Sequence, residues 1–326
     1  MKRFVLGVDG GGTSTRATIM SEWGEIVGAG VSGPSNYDDV GVEKAQENIA
    51  AAVAAARRQA EMPVRPFAAA FLGMAGVASP TDRRIIHQIA QNLRLAPPDF
   101  VGVDHDIRIA LEGGLLGRSG IVLIAGTGSS CYGRNAEGDE WRSGGWGPLV
   151  SDEGSAYWFG VQAMKAAVRA HDGRWQTSSL LPAVMGRLEL QHIDDLLRYL
   201  YVRGMSRLEI AALGPLIFDA ATEGDEVALD LIRLGARQMA ACVVAVAQRI
   251  GLVRQPGELA LTGGVFQAGD IVMEPLYAAV NEQLPQCEIF LAKLSPSLGA
   301  CLLALKRIGI VLDSNVLSLL QNSPEW

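Results

Sequence analysis

Cysteine and histidine are scarce, with four of each in 326 residues. Cys131, Cys242, Cys287 and Cys301 stand far apart with no Cys-x-x-Cys pair, which argues against a zinc site or a disulfide framework and leaves free thiols. The histidines are equally dispersed, and neither a metalloprotease helix nor a Gly-x-Ser-x-Gly elbow is present. Basic runs are lacking too: 28 basic against 35 acidic residues give a formal charge of −7, which speaks against a nucleic-acid partner. Long apolar runs are missing as well. The stretch Met239 to Ala247 falls well short of the ~20 residues a membrane span needs. Met1-Lys2-Arg3 precedes only a short apolar run before Asp9, too little for a signal-peptide core, so a cytoplasmic protein with no membrane contact is expected.

What the chain does have is 49% hydrophobic residues and 38 glycines, the composition of a compact α/β protein with many tight turns. Its length exceeds one ordinary core and suits two lobes. We place them at 1–118 and 119–326, with the last helix free to pack back on the first lobe.

The chain is organised around Gly7-Val8-Asp9-Gly10-Gly11-Gly12-Thr13-Ser14-Thr15-Arg16-Ala17, which follows the apolar run Phe4-Val5-Leu6. A strand that carries Asp at its end and breaks into three glycines and hydroxyls brings backbone N–H groups close to an anion. A P-loop would need Lys where Thr13 stands, and a dinucleotide fingerprint starting at Gly10 would need Gly at Thr15. The residues that follow, Thr15 to Met20 and then Ile26 to Val31 beyond a polar turn, read as strands, so the loop joins two strands of a hairpin. An ordinary Gly-rich hairpin is the plainer alternative.

Further along, Val42 to Glu61 reads as an Ala-rich helix closed by Pro63, Phe67 to Met74 as a buried strand, and Thr81 to Asn92 as a helix. Phe100 to Asp104 is a short strand ending in Asp, with a helix from His105 to Leu116. The opening pattern then returns. Ile121 to Ala125 leads into Gly126-Thr127-Gly128-Ser129-Ser130-Cys131, again strand, glycine–hydroxyl turn and strand, which suggests an internal duplication with one phosphate turn per half. Tyr157 to Ile250 is mostly helical with breaks at Gly204 and Gly214, and Leu259 to Thr262 is a strand ending on Gly263-Gly264, where a flat ligand could approach the backbone. A last strand, Glu288 to Ala292, precedes a core helix that starts near Ser295-Pro296.

Between the second turn and the helical half lies Gly144-Gly145-Trp146-Gly147-Pro148-Leu149-Val150-Ser151-Asp152-Glu153-Gly154-Ser155-Ala156-Tyr157-Trp158. A loop so dense in glycine, with an aromatic ring and two carboxylates, is costly to order unless it serves a purpose. Together with Gly10 to Thr13, Ser35-Asn36, Asp104 and Gly126 to Ser129, it resembles the N-acetylglucosamine kinase branch of the BadF/BadG/BcrA/BcrD ATPases, over about Val5 to Ala304.

The resemblance implies a two-lobed α/β actin/hexokinase-like fold of the ribonuclease H kind, with nucleotide and sugar held in a cleft between lobes, and lobe closure that excludes water. It implies an ATP-dependent kinase for the 6-hydroxyl of N-acetylglucosamine or a related hexosamine, with Mg²⁺, and it leaves room for a homodimer. It implies Asp104 as catalytic base; Asn36, Asp104, Ser129, Ser130, Gly145, Trp146, Gly147 and Asp152 around the sugar; Gly11, Gly12, Thr13, Ser14, Thr127 and Gly128 at the phosphates; Gly214, Gly263 and Gly264 at the adenosine; and Asp9 toward magnesium. Phosphoryl transfer suits such a set, because positioning, charge neutralisation and one carboxylate for the hydroxyl proton are enough. From the residues alone Asp104 suits the base because it ends a strand, helix N-cap being the plainer alternative and Asp106 competing for both roles. Trp146 could be a core aromatic, and Asp152 and Glu153 merely solvated.

Departures from the animal pattern, Asp38 for Trp, Ser130 for Asn and Ser143 for Cys, bear on which hexosamine is accepted. The alternatives are glucosamine or N-acetylmuramic acid as acceptor, an ATPase that activates a partner reductase or dehydratase, or a regulatory ATP-binding module.

Overall fold

The computed structural model describes residues 2–255 and 257–321. Its elements run β1 (Phe4–Gly10), β2 (Thr15–Ser21), β3 (Ile26–Ser32), α1 (Tyr37–Val40), α2 (Val42–Gln59), β4 (Ala69–Met74), α3 (Pro80–Asn92), β5 (Val101–His105) and α4 (Asp106–Gly114). There follow β6 (Gly120–Ala125), β7 (Ser129–Arg134), β8 (Glu140–Gly144), α5 (Ala156–His171), α6 (Leu180–Arg187), α7 (Asp195–Leu197), α8 (Arg207–Ala211), α9 (Pro215–Thr222) and α10 (Glu226–Arg249). The chain ends with β9 (Gly257–Thr262), α11 (Asp270–Asn281), β10 (Cys287–Leu291), α12 (Pro296–Arg307) and α13 (Ser314–Gln321). Two compact units result: one runs up to Val122 and resumes from Leu291, and the other spans Leu123–Phe290.

The first unit holds a five-stranded sheet in the order β3-β2-β1-β4-β5, with β1, β2 and β3 antiparallel and β4 and β5 parallel to β1. Both faces are covered, so β4 is buried at every position and Val5, Leu6 and Val8 of β1 are fully enclosed. Such strands read as continuous apolar runs. On one face α2 presents Ala45, Ile49, Ala52, Val53 and Ala56, a helical stripe, to Leu6, Val8 and Ile19. The stripe is mostly Ala because the helix lies very close. A Cβ on Gly30 would stand 2.2 Å from the Ala52 carbonyl oxygen. On the other face α12 packs against Val5, Ala69 and Phe71 with Ile109 of α4. Gly299 lets these two helices touch, since a Cβ there would lie 2.0 Å from the Ile109 carbonyl oxygen.

The second unit repeats the plan with the order β10-β9-β6-β7-β8, in which the hairpin strand that opens the unit again lies centrally. α10, its longest helix, carries a buried stripe from Val227 to Ala247. Gly204 does break the helical half, at φ 73°, and a π-helical turn, Arg198–Arg203, precedes it. Gly214 instead has helical angles of −54° and −45°, and the new helix begins with Pro215 at its first position. Among the described residues no helix is long and apolar enough to cross a membrane.

Candidate active site

In the first unit the strand register aligns Arg16, Asp9, Gly73 and Asp104 across β2, β1, β4 and β5. The first turn closes on itself through the Gly11 N–H, which donates to the Ser14 carbonyl at 3.0 Å. The Gly11 carbonyl accepts from the N–H groups of Ser35 and Asn36 at 3.0 and 3.2 Å, which docks that segment on the turn. Beneath it, the buried Thr15 hydroxyl donates to the Gly33 carbonyl at 2.7 Å. Asn36 is the N-cap of α1 and buried. Its Oδ1 accepts from the Asp38 N–H, and its Nδ2 donates to Asp39 Oδ2 at 2.7 Å. Asp39 Oδ2 also lies 3.4 Å from where a Cβ on Gly12 would be. Asn36, Gly11 and Gly12 are thus brought together, and Asp39, which no motif marks out, joins them.

Asp9 sits at the end of β1 with its carboxyl pushed up to about 7, first by desolvation and then by the Asp106 charge, against the pull of Arg16. A buried carboxylate at the end of β1, in the field of a second one, is a hard-oxygen donor set that fits Mg²⁺, which is commonly held by one or two carboxylates together with substrate phosphates. When bound, the ion would neutralise phosphate charge.

Asp104 and Asp106 differ in their surroundings. Asp104 Oδ1 accepts both the Arg83 guanidinium at 2.8 Å and the His105 N–H at 2.9 Å. The helix cap is His105 rather than Asp104, its Nδ1 accepting from the Ile107 N–H. Asp106 opens α4, and its Oδ1 lies 2.5 Å from His105 Nδ1. Asp106 is the carboxylate that shares the field of Asp9.

In the second unit the turn after β6 is braced by a helix start. The Gly126 and Thr127 carbonyls accept from the N–H groups of Ala156 and Tyr157 at 2.8 and 3.3 Å, and Ser155 caps α5. Ser129, buried, donates its hydroxyl to the Glu153 carbonyl at 2.8 Å. Asp152 is 2% exposed and holds a left-handed φ of 66°, which is uncommon for a residue with a side chain. Its carboxylate accepts from Arg207 at 2.7 Å and from the N–H groups of Ser129 and Gly147. Desolvation raises its pKa, and those three donors oppose the rise. A Cβ at 128 would stand 2.5 Å from the Arg207 guanidinium and 2.8 Å from Asp152 Oδ2, so a side chain there would push this pair aside.

The remaining expected residues fall around this point in different ways. Gly214 packs on the start of α5, its absent Cβ 2.7 Å from the Ala156 carbonyl, and Gly263, at φ 114°, lies against Ala125. Gly126, Gly147 and Gly264 face open space, with nothing within 4 Å of a Cβ there. Ser130 Oγ is enclosed without a partner beneath Gly145. Trp146 is 71% exposed, with the Arg142 guanidinium 4.9 Å from its ring, so it is no core aromatic. Arg207 was not legible beforehand: it follows Ser206 in a capping box, a signal for a helix start and nothing more.

Twin sheets, each ending in a glycine–hydroxyl turn, define an α/β ATPase of the actin/hexokinase kind. The chain belongs to the BadF/BadG/BcrA/BcrD ATPase family, whose model matches residues 6–304. It is 31% identical over 305 residues to an N-acetylmuramic acid/N-acetylglucosamine kinase of Clostridium acetobutylicum, covering 93% of this chain and 98% of that one. An N-acetyl-D-glucosamine kinase of Dictyostelium discoideum is 30% identical over 314 residues, with the same coverage. Among solved structures, a candidate N-acetylglucosamine kinase of Chromobacterium violaceum superposes with a TM-score of 0.73 at 28% identity, covering 93% of this chain and 99% of that one. A glucokinase of the ROK family from Streptomyces griseus shares the fold, with a TM-score of 0.58 at 19% identity over 98% of this chain and all of that one.

Proposed function

We propose that this protein is an ATP-dependent amino-sugar kinase that transfers the γ-phosphoryl group to the 6-hydroxyl of N-acetylglucosamine or a close relative. The observation that carries the reading is the pair of glycine–hydroxyl turns at the ends of equivalent strands, in a chain alignable over 93% of its length with two amino-sugar kinases. The backbone N–H groups and hydroxyls of Gly12 to Ser14 and of Thr127 and Gly128 hold phosphate oxygens, with Gly11 shaping the first turn through its own bond to the Ser14 carbonyl. Gly264 leaves room for the adenosine, with Gly214 and Gly263 shaping the backbone behind it. Asp9 serves Mg²⁺. Asn36, Asp152 and the Gly145-Trp146-Gly147 loop, with Ser129 and Ser130, serve the sugar.

For the base, Asp104 is the sequence expectation, yet its Oδ1 already serves Arg83 and its own backbone. A guanidinium held on a carboxylate competes with the hydroxyl proton that a base must take, whereas Asp106 meets only the His105 ring among the contacts described. We assign that role to Asp106, the carboxylate coupled to Asp9, and to Asp104 the task of fixing the start of α4 through Arg83 and the His105 N–H.

A specific observation favours glucosamine as a second candidate acceptor. Asp38 and Asp39 follow the buried Asn36, and desolvation together with the charges of Asp82 and Asp39 raises the pKa of Asp38, a negative surrounding that favours a cationic ligand over a neutral acetamide.

The test is ADP release from Mg²⁺-ATP with single sugars: N-acetylglucosamine, glucosamine, N-acetylmannosamine, N-acetylmuramic acid and glucose. One amino sugar raising turnover far above the sugar-free rate is the expected result. Unchanged slow hydrolysis with all five removes the kinase reading and points to a protein partner. The same assay run without added divalent cation reads the dependence on Mg²⁺.

A further inference from the structure

Asp152 does more in this fold than present oxygens to a ligand. Its buried carboxylate joins three segments that are distant in the chain: the N–H of Ser129 in the second turn, the N–H of Gly147 in the tryptophan loop, and Arg207 at the first position of α8. A carboxylate offers about four lone-pair directions, and three donors already use most of them. What it can still offer a sugar hydroxyl therefore depends on where the three donors hold it. Two of those donors are backbone groups of the loops themselves. Arg207 is the one side-chain charge among them, lodged so close to the second turn that residue 128 has no space for a Cβ. Its Nε is enclosed without a partner, and its guanidinium meets the Asp152 carboxylate at 2.7 Å.

We propose that Arg207 is a positioning residue of the kinase: its guanidinium fixes the orientation of the Asp152 carboxylate, and through Asp152 the spacing of the second turn and the tryptophan loop. The inference rests on the reading of Asp152 as the acceptor for a sugar hydroxyl. The charged groups that face this carboxylate are Arg207, which favours its ionised form, and Glu153, which opposes it. Without Arg207 the carboxylate ionises at higher pH, since an opposite charge at such range is worth about one to three pH units.

The experiment compares the full-length protein with Arg207→Gln, Arg207→Lys and Asp152→Asn, measuring kcat and KM for sugar and for ATP from pH 5 to 9. For Arg207→Gln the expected result is a loss of about tenfold to a hundredfold in kcat/KM for the sugar, with the acid limb of that profile moved upward. Arg207→Lys, which restores the charge, brings the limb back. A wild-type profile in Arg207→Gln, or no return of the limb in Arg207→Lys, overturns the proposal. If Arg207→Gln does not fold, Asp152→Asn and the Asp152→Asn/Arg207→Gln pair read the same coupling. Equal kinetics in the two support it, and a further tenfold loss in the double variant overturns it. An unchanged sugar KM in Asp152→Asn would instead sink the reading of Asp152, a separate failure.

Discussion

The two glycine–hydroxyl turns start from one design and end with opposite electrostatics. The first has a carboxylate at the end of its own strand, Asp9, with Asp106 adding to the negative field. The second has Ala125 at that place, and its carboxylate, Asp152, comes from a later loop and is paired with Arg207. The backbone differs as well. A Cβ on Gly10 would strike Met74 and Ser35 within 2.5 Å, whereas Gly126 faces open space. The first turn is therefore packed at its base and sits in a negative field that Arg16 offsets only in part and that suits a cation, while the second is open at its base and carries an ion pair. Duplicated topology does not imply duplicated chemistry, and each turn must be tested for what it alone supplies.

The largest effect is expected on the acidic side of that contrast. Asp106→Asn should lower turnover by about 10² to 10⁴, as loss of a general base does, while sugar binding measured by calorimetry persists. Asp104→Asn should cost less than about tenfold, because it loosens a contact and leaves the base in place. Reversal of that order in steady-state assays would return the base to Asp104.

Next come the glycines of the second turn. Gly128→Ala forces a methyl against Arg207 and Asp152, and should reduce kcat/KM for the sugar about a hundredfold. Gly126→Ala has open space, so its melting temperature should stay within a few degrees while KM for ATP rises by about tenfold, the ligand being what the methyl meets. Equal behaviour of the two variants in kinetics and thermal melting would erase the distinction between a packed and a ligand-facing glycine.

Much of this contrast was legible in the sequence. The turns, their strands and most helices follow from apolar runs that break into glycine and hydroxyls, since such runs have few other ways to fold. Asp9, Gly128 and Asp152 stood out because each lies within or beside a stretch dense in glycine and hydroxyl residues. What could not be read were pairings over distance. Arg207 meets Asp152 across 55 positions and Arg83 meets Asp104 across 21, and no periodicity encodes either. The choice between Asp104 and Asp106 turned on that second contact. Glycines were ambiguous for a related reason: Gly214 and Gly264 look alike in sequence, yet one is pressed on the Ala156 carbonyl and the other is open.

The smallest effect concerns pH and the first turn alone. With its carboxyl pushed up to about 7 in the fold and near 4 in the unfolded chain, Asp9 favours the folded state when protonated. Its contribution is fully present below about pH 4, is lost as pH rises toward 7, and leaves the metal-free protein carrying a penalty above that. Asp9→Asn should therefore raise the metal-free melting temperature by a few degrees at pH 8 and leave it nearly unchanged at pH 4.5. Added Mg²⁺ should stabilise the natural protein and not the variant, because a ligand that binds only the folded state raises its melting point in proportion to occupancy. In the second unit, where Asp152 is already paired, Mg²⁺ has no such carboxylate to relieve. A metal-induced shift that survived in Asp9→Asn but vanished in Asp152→Asn would reverse the division of labour between the turns.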